Sequence, residues 1–294
     1  MRILFYLPVV TPWWFDNIVL PLIRGAAKEA EVHVLVAPVW KNTGITANQL
    51  RASRDLKNVQ WHIVDDPNHS TLRTRPSDPQ GLIDFVRGIE PDYTFCRSAD
   101  AETPSAFPGQ VRYIMESGAP PLPGFHCTFV LETELLKHGE MPALTPSERE
   151  TIDADFAEIG KRFAHRFTNK QPFKMTRENA LARMGIDPDR KVIALALEYA
   201  HEENFFRIHE RPATALELLE DLAPRLDDST VLAVTDHPLN YRYCDNSAVY
   251  RALEALGPSA HLAPNEEGTP RATNLLFKHC DGAIVQNSKS IYSA

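Results

Sequence analysis

Chemistry-bearing side chains gather where apolar runs of this 294-residue chain end. After residues 3–10 comes Thr11-Pro12-Trp13-Trp14-Phe15-Asp16, three aromatic rings followed by a carboxylate. Such rings stack on a sugar or base when they line a cleft, or else wedge the loop onto its own domain. After residues 192–197 comes Glu198-Tyr199-Ala200-His201-Glu202-Glu203-Asn204. Here Glu198, nearest the run, can accept a proton or bind hydroxyls, and His201 can donate to phosphate, while Glu202 and Glu203 read as solvated. After residues 230–234 comes Thr235-Asp236-His237-Pro238, where Pro238 stops the run and pins the loop. His237 is then either bonded to backbone in a tight turn or set where ligands dock, with Asp236 orienting it. After residues 282–285 comes Gln286-Asn287-Ser288-Lys289-Ser290. A helix starting near Ser288 would aim free amides at an anion, with Ser288 and Ser290 as hydroxyl donors and Lys289 as charge. The plainer reading of those serines is ordinary helix capping.

Other chemistries lack an anchor. No GxGxxG follows the first run, and Pro12 and Trp13 obstruct a close pyrophosphate approach. No GxSxG elbow exists for an activated serine. The pairs Asp236–His237 and His279–Asp281 lack a third ligand nearby in sequence, so no metal is expected. Cys96, Cys127, Cys244 and Cys280 form no CxxC pair, which reads as a reduced, cytoplasmic chain. The formal net charge of -8 and scattered Lys and Arg argue against a duplex nucleic-acid partner. The first apolar run is cut by Pro8 and Pro12 and reads as a strand rather than a signal peptide. No stretch approaches the roughly 20 apolar residues that span a bilayer.

The elements that must carry these segments alternate between strand and helix. Residues 3–10, 16–30 and 31–37 make a strand, a helix and a strand, with Asp16 as the helix cap and Pro21 clouding the first turn. Strands follow at 59–64, 93–96 and 111–115, with a short helix at 80–88. Thr145-Pro146-Ser147-Glu148 opens a long helix with a capping box and proline at its first position. Its stripe Ile152, Phe156, Ile159, Phe163 reads as core packing. A second series begins after the turn Gly185-Ile186-Asp187-Pro188-Asp189. Its strands are at 192–197, 230–234, 261–263 and 282–285, and its helices at 213–226, 248–256 and 272–280. The fold class is therefore α/β, with mostly parallel sheets, right-handed crossovers, and domains at 1–167 and 176–294. The sequence stops as another helix begins, so the C-terminal domain reads as incomplete.

Three pieces of the second half, in this order, resemble a known family. They are the turn and strand from Gly185 to Leu197, Thr235-Asp236-His237-Pro238, and Asp281 to Ser290. Together they are similar to the second domain of GT-B glycosyltransferases, above all bacterial enzymes of capsule and surface polysaccharide synthesis. The resemblance covers roughly the last 120 residues; the first half shares only the general βα pattern. It implies two Rossmann-like domains facing a cleft. It implies a sugar moved from a nucleotide-sugar donor to a glycan or small-molecule acceptor, without metal or cofactor. Carried over, it puts His237 and Ser288 near the donor, supported by Asn287, beside Glu198, His201 and Ser290. The acceptor would lie near Trp13 and Trp14, with Asp16 or Glu132 as base, and a lipid-linked acceptor would bring peripheral membrane association. The chain departs from the pattern at Thr235, where a lysine is usual, and at Tyr292 and Ser293, where Gly and Glu are usual. Glu198, His201 and His237 leave open a nucleotide-sugar epimerase or hydrolase of the same architecture, and the departures leave open a non-catalytic nucleotide-binding or scaffold protein.

Overall fold

The computed structural model describes residues 1–64, 72, 76–116, 129–135, 144–168, 175–202, 204, 206–263 and 272–286. Its first strand, β1 (Arg2–Leu7), is buried from Ile3 onward, as a strand covered on both faces requires. It stops three residues short of the expected end because Pro8 has no N–H for the ladder. Around it lie β2 (Glu31–Val36), β3 (Val59–Ile63), β4 (Tyr93–Cys96), β5 (Gln110–Glu116) and β6 (Phe129–Glu132). The sheet order is β3-β2-β1-β4-β5-β6. All neighbours are parallel except β6, which runs antiparallel on β5 and closes that edge. Side chains alternate along β1. Ile3, Phe5 and Leu7 pack with Trp14, Phe15, Ile18 and Ile23, while Leu4 and Tyr6 pack with Leu82, Ile83, Val86 and Ile89.

The helix after β1 starts earlier than the sequence suggests. Thr11, not Asp16, caps it, accepting the Trp14 N–H at 3.3 Å. Pro12–Trp14 is α-helical, Phe15–Val19 makes a π turn in which the Leu20 N–H reaches the Phe15 carbonyl, and Leu20–Ala26 resumes the α-helix. Pro21 brings no N–H to the ladder, so a wider turn just before it is a place where the helix can absorb the loss. The Asn17 side chain donates to the Trp13 carbonyl at 2.8 Å across the same turn. A further helix, Ala47–Ala52, follows a Thr46–Gln49 capping box.

In the second sheet β7 (Lys191–Ala196), β8 (Thr230–Thr235), β9 (Ala260–Leu262) and β10 (Gly282–Ile284) are all parallel, in the order β10-β7-β8-β9. Helices Arg177–Arg183 and Ala272–His279 cover one face and Ala215–Leu222 and Ser247–Ala255 the other. The long helix Pro146–Thr168 carries the expected capping box. The Thr145 N–H donates to Glu148 at 2.8 Å, and the Glu148 N–H donates back to the Thr145 hydroxyl at 3.3 Å. Of its expected core stripe, Ile152 is 38% exposed, and the side chains of Phe156, Ile159 and Phe163 lie outside the description.

The chain divides into two compact units, Met1–Gly139 with His201–Ile208, and Glu140–Ala200 with His209–Ala294. The long helix therefore falls to the second unit, where the sequence boundary at 167 had kept it with the first. The sheets share one plan. Strand order reverses beside the first strand of each, between β1 and β4 and between β7 and β10. Ligands of open α/β sheets dock beyond the C-terminal strand ends at that reversal.

Candidate functional site

The loop leaving β7, which flanks the reversal of the second sheet, meets the loop leaving β8, one strand away from it, through a buried polar cluster. Asp236, the residue after β8, is buried, and its carboxylate collects donors from several directions. Its Oδ1 accepts the His237 backbone N–H at 2.7 Å and the Asn240 amide at 2.6 Å. Asn246 donates to both oxygens at 3.3 Å, and the Tyr250 hydroxyl donates to Oδ2. Asn240 also donates to the Glu198 carbonyl at 2.9 Å and accepts the Ala200 N–H at 2.8 Å. A buried carboxylate requires this many donors, because each lone pair withdrawn from water needs a replacement.

The imidazole of His237 is set by other groups. Its Nδ1 accepts the Leu239 N–H at 3.2 Å, and its ring lies 5.3 Å from that of Tyr199 at an interplanar angle of 30°. A nitrogen that accepts carries no hydrogen, so the neutral ring is protonated at Nε2. Burial pulls His237 below the usual histidine range, against the opposing pull of the Asp236 charge. The sequence expectation that Asp236 orients the ring is therefore corrected: Asp236 holds the backbone of His237, and Leu239 and Tyr199 hold its ring. Burial pushes the phenols of Tyr199 and Tyr250 up, Tyr250 also through its bond to Asp236. Residues 197–200 and 236–240 include no Lys or Arg, so an anion at this edge would meet neutral donors.

The reversal of the first sheet is built differently. Trp14 is 6% exposed and belongs to the core, with the Arg97 guanidinium 4.3 Å above its ring centre. Arg97 follows β4, is buried, and also donates to the Ile114 carbonyl at 3.4 Å. Packing thus wins over ligand stacking at Trp14, whereas Trp13 is 49% exposed. Asp16 is exposed in the π turn, and its Oδ1 accepts the Gln49 amide at 2.8 Å, which also donates to the Pro12 carbonyl at 2.9 Å. Glu132 is half-buried on the outer strand β6, opposite Tyr113. It is two strands from the reversal and is not grouped there with Asp16.

Of the donor-side residues, Glu198 and His237 stand on the two loops joined by Asn240. His201 belongs to the first unit instead, buried edge-on to Trp40 with ring centres 5.0 Å apart. The apolar run ended before it, but that the next residues return to the other sheet leaves no local mark in sequence. Asn287, Ser288 and Ser290, with Tyr292 and Ser293, lie outside the described residues. Asn240, Asn246 and Tyr250 were missed. The signal for Asn240 was a polar residue three positions beyond His237, and Tyr250 fell in the helix expected at 248–256. No group of three or more His, Cys, Asp or Glu among the described residues is placed to hold a metal ion.

No family model matches the chain, and no curated protein matches it. Solved structures do align with it. Over 100% of its length it is similar to 81% of the ADP-heptose LPS heptosyltransferase II of E. coli, at 12% identity and a TM-score of 0.30. Over 99% of its length it is similar to 76% of a family 9 glycosyl transferase from Veillonella parvula, at 11% identity and a TM-score of 0.29. Over 96% of its length it is similar to 73% of Anabaena HepE in complex with UDP and glucose, at 11% identity and a TM-score of 0.33. Likenesses at such scores assign no activity to this chain.

Proposed function

We propose that this protein is a glycosyltransferase that takes a nucleotide-sugar donor on its second unit and an acceptor on its first. The observation that carries the reading is the pair of loops on the β8 side of the second sheet's reversal. A strand order used for nucleotide binding there ends in two loops locked together, with the Nε2–H of His237 outside the lock. In the reaction, an acceptor hydroxyl oxygen bonds to the anomeric carbon of the sugar. The bond from that carbon to the diphosphate breaks, and the diphosphate leaves with the electron pair. Fixed N–H donors suit the charge that develops on that leaving group, because they need no reorganisation as it forms. His237 is the donor we assign, together with the amides and hydroxyls of the segment that includes Asn287, Ser288 and Ser290. Glu198 is assigned to the donor's hydroxyls.

The acceptor's proton needs a carboxylate, and Asp16 is the better of the two candidates. It lies in the π turn of the helix that follows β1, and among the described residues no hydrogen bond engages its Oδ2. The exposed ring of Trp13 is assigned to the acceptor. A surface glycan, free or lipid-linked, is the acceptor class we favour. No helix among the described residues is long and apolar enough to cross a membrane, so on this reading a lipid-linked acceptor is met at the membrane surface.

Calorimetric titration of the full chain with UDP, GDP and CMP tests the proposal. Micromolar-to-millimolar binding of one of them, weakened by His237→Ala, is the expected result. Absence of binding to all three would remove the reading.

A further inference from the structure

The polar cluster after β8 has a closed form that its parts taken singly do not show. Asn240 is 1% exposed, and its one amide group bonds on both sides of Tyr199, to the carbonyl before it and the N–H after it. That is the bonding a neighbouring strand would offer residue 199, supplied instead by a side chain. The same amide donates to Asp236, Asp236 accepts the backbone N–H of His237, and the His237 ring returns to the Tyr199 ring. From Asn240 through Tyr199, His237 and Asp236 the contacts come back to Asn240. Asn246 and the Tyr250 hydroxyl fasten the carboxylate from the side of the helix Ser247–Ala255. The Nε2 of His237 has no hydrogen bond among the described residues.

We infer that Asp236 and Asn240 are positioning residues, which lock the loops leaving β7 and β8 to each other and hold His237 as its Nε2–H tautomer. The inference deepens the proposed function, since that hydrogen is the one assigned to the donor, but the lock itself is a property of the free protein. It works by removing alternatives. With Tyr199 bracketed by Asn240, the ring beside His237 has one place to be. With its backbone N–H taken by Asp236, the His237 turn presents Nδ1 to Leu239. A loop free to move would sample both tautomers, and every encounter made by the Nδ1–H form would offer a lone pair to a phosphate oxygen. The titratable groups on the elements packed here are Asp236 on the turn of His237 itself, Glu198 and Tyr199 on the β7 loop, Tyr241, Tyr243 and Cys244 beyond Leu239, and Tyr250 on the following helix.

The test uses the full chain with labelled histidine. Long-range nitrogen–proton spectra report the tautomer and titration of His237, assigned by its loss in His237→Ala. In the parent, a single Nε2–H form is expected, titrating below the ordinary histidine range. In Asn240→Ala, a mixture of tautomers and a midpoint moved up toward the ordinary value are expected. UDP affinity should fall about tenfold in Asn240→Ala, whereas the double variant with His237→Ala should bind no worse than His237→Ala alone, because the effect runs through that ring. Tyr250→Phe, which keeps shape and removes one donor, should move the ring signals in the same direction by less, and it decides the matter if Asn240→Ala fails to fold. Folded variants whose His237 keeps the parent tautomer and midpoint would overturn the lock. Failure of UDP, GDP and CMP to bind the parent would sink the proposed function and not this inference, which the ring signals decide by themselves.

Discussion

The loops around the first strand of each sheet, β1 and β7, are closed in opposite ways. Beside β1, the loop closes by packing: Trp14 lies in the core beneath Arg97, and only Trp13 and Asp16 of that segment stay exposed. Beside β7, the loops close by hydrogen bonds converging on the buried Asp236. An apolar plug is non-directional and tolerates small shifts. A carboxylate with fixed donors fixes angles as well as distances. The loops leaving β7 and β8 are therefore suited to hold a ring nitrogen at a set position, and the loop leaving β1 is suited to anchor a helix start while leaving one indole to the solvent.

Substitutions at the two plugs should separate these roles. The largest effect is expected from Trp14→Ala, which removes a buried aromatic side chain and should cost about 3–5 kcal/mol of stability. Measured by denaturant unfolding, that loss should come with unchanged UDP affinity wherever the variant is still folded. An affinity loss in step with it would mean the two edges are coupled and the contrast is false. Next comes Asp236→Ala. Hydrogen bonds to charged groups contribute about 1.5–3 kcal/mol each, and here the donors are left buried without an acceptor. A loss of about 3 kcal/mol of stability is expected, with UDP affinity lowered no further than His237→Ala lowers it, because Asp236 acts through that ring. Retention of the parent affinity would show that the hydrogen-bonded edge is only structural.

How much of this was legible in sequence depended on whether the deciding contact was local. The strands, the parallel sheets, the Thr145–Glu148 cap and the stop at Pro238 are written in adjacent residues, and each could be read there. The π turn was half-legible: Pro21 announced a disturbance, but that the helix absorbs it and starts from Thr11 depends on the core beneath Trp14 and Phe15. The burial of Trp14 needed Arg97 from 83 positions away. Asn240 has no local mark in sequence because its partners at 198 and 200 come from the loop after the preceding strand of the sheet. His201 was grouped with Glu198 by proximity in sequence, yet the chain passes to the other unit between Ala200 and His201.

A smaller effect sharpens the contrast at the site itself. His237→Ala removes one hydrogen-bond donor from the proposed donor site and leaves the Asp236 bonds in place. UDP affinity should fall about tenfold, or about 1.4 kcal/mol, by calorimetry. Stability against acid should also divide the units. His62 in the first unit and His237 and His279 in the second all sit below the ordinary histidine range, chiefly through burial. Between those lowered values and about 6.5 the unfolded chain binds more protons than the folded one, so stability falls as pH drops through about 6.5. Hydrogen exchange at pH 5.5 against pH 7.5, values chosen about one unit either side of that midpoint, should show the second unit, which holds two of the three, loosening more. Equal loosening would count against the assignment.

The smallest effect expected is close to none, and it is the most pointed. If His237 met the diphosphate as a cation, affinity would decline about tenfold for each pH unit above its midpoint, since only the protonated ring would bind. A ring whose Nδ1 is occupied by the Leu239 N–H cannot take a second proton without breaking that bond, and burial disfavours the charge as well. The neutral Nε2–H donor is present at every pH above the depressed midpoint. A diphosphate is itself fully ionised well above about pH 6, so its own charge does not change over the range from about 7 to about 8.5. UDP affinity should then vary by less than about twofold across that range. A decline near tenfold would mean that the ring is charged when it binds, that the Leu239 contact opens in the complex, and that the hydrogen-bonded edge is no more rigid than the packed one.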